Sequence, residues 1–249
     1  LQGDNCKAFR DANTRGALYQ SADSRGCDRH GNSGKENRRR SSIARRLGLE
    51  IPGLVFSERN VDGIVDLMID ATKNFDRELN KERLFSWHAA LFPTGQSGLY
   101  KIITGNWRDD STGPMQVVSG ALGKEKVHYQ APPASQIDHE MQIFIDWFNL
   151  EQNTDLVLKS AIAHLWFVTI HPFEDGNGRI SRALSDMLLA RSDEQSYRFY
   201  SMSTQIRKER NAYYDILEKT QKSGLDITNW IEWFLNCLLH SINNSEKLL

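Results

Sequence analysis

At 249 residues, with 39% apolar and 25% charged residues and a formal net charge of −1, the chain has room for one large domain of ordinary soluble composition. That charge balance excludes bulk electrostatic attraction to nucleic acid or an anionic membrane as its main business, and no apolar run is long enough to span a bilayer. Three scattered cysteines, Cys6, Cys27 and Cys237, supply neither a disulfide framework nor a CxxC zinc site, and fit a reducing cytoplasm.

Residues 1–40 are rich in Gly, Asn, Arg, Ser and Asp and poor in aliphatics, which reads as a loosely packed or disordered arm. Its basic cluster, Lys35 with Arg38 to Arg40, reads as a solvated arm in preference to a nucleic-acid contact. From Ser41 the texture changes. SSIARRLGL predicts a helix capped by Ser41 or Ser42 and ended near Gly48. NVDGIVDLMIDATKNF carries Val61, Ile64, Val65, Met68 and Ile69 at helical spacing, with Asn60 as the expected cap. NKERLFSWHAALFPTG predicts another helix, broken at Pro93-Thr94-Gly95.

One region reads as strand. Met115 to Ser119 and Lys126 to Tyr129 are β-prone and flank Gly120 and Gly123, so a short hairpin is expected, ended by Pro132-Pro133. Helix resumes with ASQIDHEMQIFIDWFNL, whose stripe is Ile137, Met141, Phe144, Ile145 and Phe148. DLVLKSAIAHLWFVTI is apolar on nearly all sides, the mark of a central buried helix, and ends at His171-Pro172. GRISRALSDMLLAR, RKERNAYYDILEKTQ and TNWIEWFLNCLLHSI predict three more helices, the last capped by Thr228 or Asp226. The fold class expected is all-α with one small β-hairpin.

The chemistry concentrates in residues 171–182, HPFEDGNGRISR, between the buried helix and the next. Backbone N–H groups of Gly176, Asn177 and Gly178 at a helix start make an anion site, and glycine lets a phosphate approach closely. Arg179 and Arg182, three apart, share a helix face and can reach phosphate oxygens there. Asp175 offers a hard carboxylate oxygen for Mg²⁺ shared with those phosphates. His171, an imidazole beside them, is a natural general base. Taken singly, the His is a helix cap, Gly-Asn-Gly a turn, the arginines a solvated face and the Asp a cap; together they supply base, metal ligand, anion nest and charge clamp within one loop.

HPFEDGNGRISR matches the Fic signature H-x-F-x-[D/E]-G-N-G-R-x-x-R at every specified position, and AIAHLWFVTIHPF, GPMQVVSG, VHYQAPP and IRKERNAYYDILE also resemble Fic proteins. The resemblance covers roughly residues 41 to 240 and implies a Fic domain over 41–242 with a tail at 243–249. It implies transfer of AMP from ATP to a Ser, Thr or Tyr hydroxyl of a target protein. His171 would take the hydroxyl proton, Asp175 would hold Mg²⁺, and Gly176, Asn177 and Gly178 would seat the α- and β-phosphates. Arg179 would clamp the β-phosphate, Arg182 the γ-phosphate, and Phe173 would anchor the loop. Val117, Val118, Ser119 and Gly120 would belong to a flap spanning residues 115–129 that docks the target by strand-like pairing, and Tyr213 and Tyr214 match a pair lining the nucleotide site, with a core role as the other reading. The resemblance also implies that glycine on both sides of Asn177 favours AMP transfer over phosphorylation. Removal of AMP and a catalytically silent nucleotide-binding module are the alternatives. Relatives carry an inhibitory helix whose Glu meets the arginine at position 182; here Glu36, in a glycine-flanked segment, is expected to inhibit little.

Overall fold

The computed structural model describes residues 59–120, 124–150, 154–196 and 198–246. The expectations for the arm, for the helix after Ser41 and for Glu36 lie outside the described residues. Within them, eight helices carry the fold: α1 (Arg59–Lys73), α2 (Lys81–Leu91), α3 (Ala134–Asn149), α4 (Leu156–Ile170), α5 (Asn177–Asp193), α6 (Met202–Lys208), α7 (Arg210–Lys222) and α8 (Thr228–Glu246). Two antiparallel strand pairs complete it: β1 (Gln96–Ser97) with β2 (Tyr100–Lys101), and β3 (Gln116–Ser119) with β4 (Lys126–Gln130). The mainly helical fold with a small hairpin is as the sequence implies. No helix among the described residues is long and apolar enough to cross a membrane.

Helix starts follow side-chain chemistry. Asn80 accepts from Arg83 N–H at 2.8 Å to cap α2, and Asp155 accepts from Val157 and Leu158 N–H to cap α4. Asp226 takes the Thr228 N–H at 2.9 Å, so of the two expected caps of α8 it is Asp226 that acts. The structure departs from the sequence reading in four respects. Helix α1 already includes Arg59, the first described residue, which puts Asn60 inside it and not at its cap. The segment read as one helix from Arg207 is split at Glu209 into α6 and α7. Helix α8 runs to Glu246, into residues read as tail. A second strand pair, β1–β2, stands where only loop was expected; it turns on Gly98-Leu99 with Gly98 at φ +58°, and two-residue strands are too short to show alternation.

Helix α4 explains its own composition. One side, with Ala163, Phe167 and Ile170, packs into a core shared with Leu84, Phe144, Phe148 and Leu184; the other, with Ala161, Leu165 and Val168, packs against Trp230, Phe234 and Leu217. A helix between two cores needs apolar residues all round, each large side chain worth about 1.5–3 kcal/mol on burial. The stripe of α3 faces the first core, and all five of its residues are buried. Helix α5 packs along α4, so the loop joining them is held at both ends by the most buried helices of the fold.

Candidate active site

The loop between α4 and α5 starts with His171 as the C-cap of α4, in the left-handed region at φ 53° and ψ 56°. A non-glycine residue there is uncommon and holds only when its surroundings impose it. The surroundings are visible. Arg108, buried, donates from Nε to the His171 carbonyl at 2.8 Å, from a second nitrogen to Pro132 O at 2.6 Å, and from its backbone N–H to Pro172 O at 3.0 Å. Asp110 neutralises that guanidinium at 2.9 Å. The His171 ring meets Val168 O through Nδ1 at 3.1 Å; a carbonyl only accepts, so Nδ1 carries the proton and Nε2 is left as the lone pair. Burial drives the His171 pKa down to about 4, with Arg108 pushing the same way, so the ring is neutral at pH 7.

The rest of the loop is braced from α2 and the segment after it. His88 is fully buried, stacks on Phe173 at 4.2 Å and lies 3.1 Å from Asp175 O. Its Nδ1 accepts from Gly105 N–H, so its Nε2–H donates to that carbonyl. Glu174 accepts from Ile103 N–H at 2.7 Å. Phe173 is fully buried, as an anchor should be. The Asn177 side chain is turned inward, accepting from Phe173 N–H at 3.0 Å and donating to Phe173 O at 2.7 Å, so what this residue offers a ligand is its backbone.

Gly176 is the N-cap of α5 at φ 87°, and the first-turn N–H groups of Asn177 and Gly178 have no acceptor among the described residues. Those are the donors that a helix start presents to an anion. Arg179 lies 3.2 Å from Asp175 and 4.6 Å over the Phe92 ring. Arg182 makes no ion pair among the described residues and lines the cavity. Asp175 accepts from Ser97 Oγ at 2.6 Å, from Gly176 N–H at 2.5 Å and from Arg179. A carboxylate has about four lone-pair sites, so one is left, and the ligand chemistry suits a cation that takes one carboxylate and finishes its shell with phosphate and water, as Mg²⁺ does. Among the described residues no cluster of three or more His, Cys, Asp or Glu forms a protein-only metal cage.

These groups open onto one cavity of about 670 Å³, in the size range of small-molecule sites. Its floor is His171 and residues 174–179; its walls are β3 and α7. Val117, Val118 and Ser119 line it; the Val118 side chain is almost wholly buried, and Gly120 stands exposed at φ 115° beyond the strand. The sheet has two strands, so among the described residues β3 keeps one unpaired edge. Tyr214 lies half-exposed on the rim with Arg210 5.5 Å from its ring, whereas Tyr213 is buried and its hydroxyl meets His164 Nε2 at 2.9 Å, serving the core as well as the wall. Sequence reasoning missed the braces Arg108, His88 and Ser97, as well as His128 and Glu218, because none lies near the 171–182 stretch; it missed His164 because that residue sits within the apolar run of α4.

A model of the Fic/DOC family matches residues 78–189. The chain is similar to the protein adenylyltransferase Fic of Drosophila willistoni, 36% identical over 99 residues, which are 39% of this chain and 18% of that protein. The match thus spans under a fifth of that relative's length. In fold it resembles a Fic family protein from Desulfovibrio desulfuricans, at a TM-score of 0.58 and 20% identity over 97% of this chain and 74% of the other. It also resembles a Fic domain containing signaling protein from Bacteroides thetaiotaomicron, at 0.59 and 20% over 84% and 77%. At that identity the two structures speak for the fold alone. The loop and the β3–β4 hairpin fall inside the matched span, the α7 wall of the cavity lies beyond it, and residues 78–189 form a Fic/DOC family domain.

Proposed function

We propose that this chain is a protein adenylyltransferase that moves AMP from ATP onto a Ser, Thr or Tyr hydroxyl of a target protein, in a domain extending through α8. The observation that carries the reading is a neutral imidazole, His171, with Nε2 free to accept, opening onto the same cavity as an unsatisfied helix start and two arginines. The phosphates sit on the N–H groups of Asn177 and Gly178, with Arg179 at the β-phosphate and Arg182 at the γ-phosphate. The target hydroxyl gives its proton to His171 Nε2 as its oxygen attacks the α-phosphorus; the bond to the β-phosphate oxygen breaks and pyrophosphate leaves. Asp175 would hold Mg²⁺, whose charge, when bound, offsets that of the phosphates. The open edge of β3 docks an extended segment of the target by backbone pairing. A buried free thiol, Cys237, suits the reducing cytoplasm in which we place this activity.

Parallel incubations with α- and γ-labelled ATP test it. Label from the α position alone should reach protein, and His171→Ala should lower the rate of transfer to a separate target protein by ~10² to 10⁴ while ATP still binds. Wild-type rates in the variant would reduce His171 to a helix cap, and transfer of γ-label alone would make the reaction phosphorylation. Release of AMP from pre-modified target without ATP would favour the reverse activity.

A further inference from the structure

Strand β4 carries a bulge where it passes the Val117/Val118 step of β3: Val117 pairs with Tyr129 and Val118 with Val127, so His128 is the extra residue. A bulge leaves its residue outside the ladder and re-aims the side chain. The His128 ring lies between two partners, Ser119 Oγ at Nε2 and Glu218 Oε2 at Nδ1, both within hydrogen-bond reach. Glu218 comes from α7 and is also held by two lysine cations, Lys222 at 2.6 Å and Lys126 at 3.3 Å. Those cations and the His128 hydrogen bond hold the Glu218 pKa down at about 2, so its carboxylate only accepts.

That makes the Glu218 end of the chain an acceptor. For a neutral ring, Nδ1 must carry the proton and donate it to Glu218; Nε2 then has the lone pair, and the Ser119 hydroxyl must be the donor. A hydroxyl donating to an imidazole whose other nitrogen donates to a carboxylate is the arrangement that activates a nucleophilic serine. Ser119, His128 and Glu218 all border the cavity onto which His171 and the start of α5 open. Two of the other hydroxyls on its wall are engaged elsewhere: Tyr129 donates to Thr169 O and Tyr213 is taken by His164.

We propose that Ser119, His128 and Glu218 form a second proton relay in the cleft and that Ser119 is a site at which the chain modifies itself with a nucleoside monophosphate. The acceptor half of this rests on the transferase reading; the relay half does not. Ser119 Oγ attacks the α-phosphorus of a nucleoside triphosphate and gives its proton to His128 Nε2. The new Oγ–P bond replaces the bond to the β-phosphate oxygen, and pyrophosphate leaves. Glu218 places a negative charge against the imidazolium that forms. The product, a phosphodiester at the end of β3, sits on the edge assigned to target docking, so the modification caps that edge.

Two probes on the full chain separate the halves. A fluorophosphonate phosphorylates activated serines with loss of fluoride and needs no nucleotide; α-labelled ATP followed by mass spectrometry of the Ser119 peptide reads the nucleotide product. The fluorophosphonate should label Ser119 in wild type and in His171→Ala, and labelling should fall by ~10² or more in His128→Gln. Glu218→Gln should give the same direction, so a folding failure of one variant does not decide the matter. AMP on Ser119 should likewise persist in His171→Ala and fall in His128→Gln. Fluorophosphonate labelling that is equal in wild type and both relay variants, or absent from Ser119, overturns the relay. Labelling of Ser119 by the fluorophosphonate with AMP found only on other hydroxyls overturns the acceptor assignment and leaves the transferase reading standing. AMP found on no protein at all, with the relay intact, overturns the transferase reading and the acceptor assignment together.

Discussion

Gly176→Ala is the sharpest test of how the anion end of the site is built. Gly176 is the N-cap of α5 with φ at 87°, and a Cβ there would lie 3.0 Å from Phe92 Cε2 and 3.3 Å from Leu91 Cδ1. The left-handed backbone costs an L-residue about 1–2 kcal/mol. Crowding adds to it, because Leu91 and Phe92 are themselves buried, at 1% and 4% exposure, and have little room to retreat. Overpacking of this kind costs about 1–3 kcal/mol, so the total is about 2–5 kcal/mol, or roughly 4–20 °C in Tm at about 2–4 °C per kcal/mol for a chain of this size. Gly178→Ala is the matched control: Gly178 is helical, and its Cβ would meet nothing within 4 Å. There alanine should be neutral or stabilising by up to about 1 kcal/mol. Urea unfolding of both variants, followed by circular dichroism, reads the difference. Equal stabilities for the two variants, or a loss below about 1 kcal/mol at Gly176, would refute the claim that the loop is pinned against α2.

Arg182→Ala should weaken binding of a non-hydrolysable ATP analogue with little change in fold stability, since Arg182 makes no ion pair among the described residues; calorimetry showing unchanged affinity would remove it from the phosphate site. Val118→Pro deletes a backbone donor from β3 and should lower modification of a target more than nucleotide affinity, and an equal loss of both would make the hairpin scaffold rather than docking edge. Burial holds His88 and His171 near pKa 4 and His164 near 3, below the unfolded value of 6.5, so the unfolded chain binds more protons between these values; stability contributed by the neutral rings is present above pH 6.5 and lost as pH falls toward 4. Asp186, whose pKa is raised by burial, acts in the opposite sense, and urea midpoints that stay flat from pH 7 to pH 5 would contradict the predicted net loss.

Helices long enough for several turns were legible because burial repeats with their period: the α3 stripe and the all-round apolar α4 are direct images of one core and of two. The 171–182 stretch was legible for a different reason. Its base, carboxylate, helix start and arginines are adjacent in sequence, so chemistry and spacing are read together. What braces that stretch comes from far upstream. Arg108 reaches the His171 carbonyl across 63 residues, Ser97 reaches Asp175 across 78, and His88 reaches it across 87. In the sequence each is one polar residue in an unremarkable segment, and nothing local marks it. The β1–β2 pair was invisible on length alone, yet it is what carries Ser97 to Asp175.

The same contrast separates the two imidazoles that face the cavity. His171 was found because a motif surrounds it, and its proton partner is a backbone carbonyl one turn back on its own helix, 3.1 Å away at Val168. His128 sits in a strand with no motif, and its partners join the hairpin to α7 across 90 residues. A carbonyl partner fixes the tautomer of His171 but carries no full charge, so beyond the pull of Asp175 any positive charge the ring gains is met by what enters the cavity. A carboxylate partner lets His128 meet that charge within the protein. A base of the first kind depends on a bound substrate that carries compensating negative charge, which suits a ring beside a triphosphate site. A base of the second kind works whether or not the cavity is filled, which is why a nucleotide-free probe can distinguish the two.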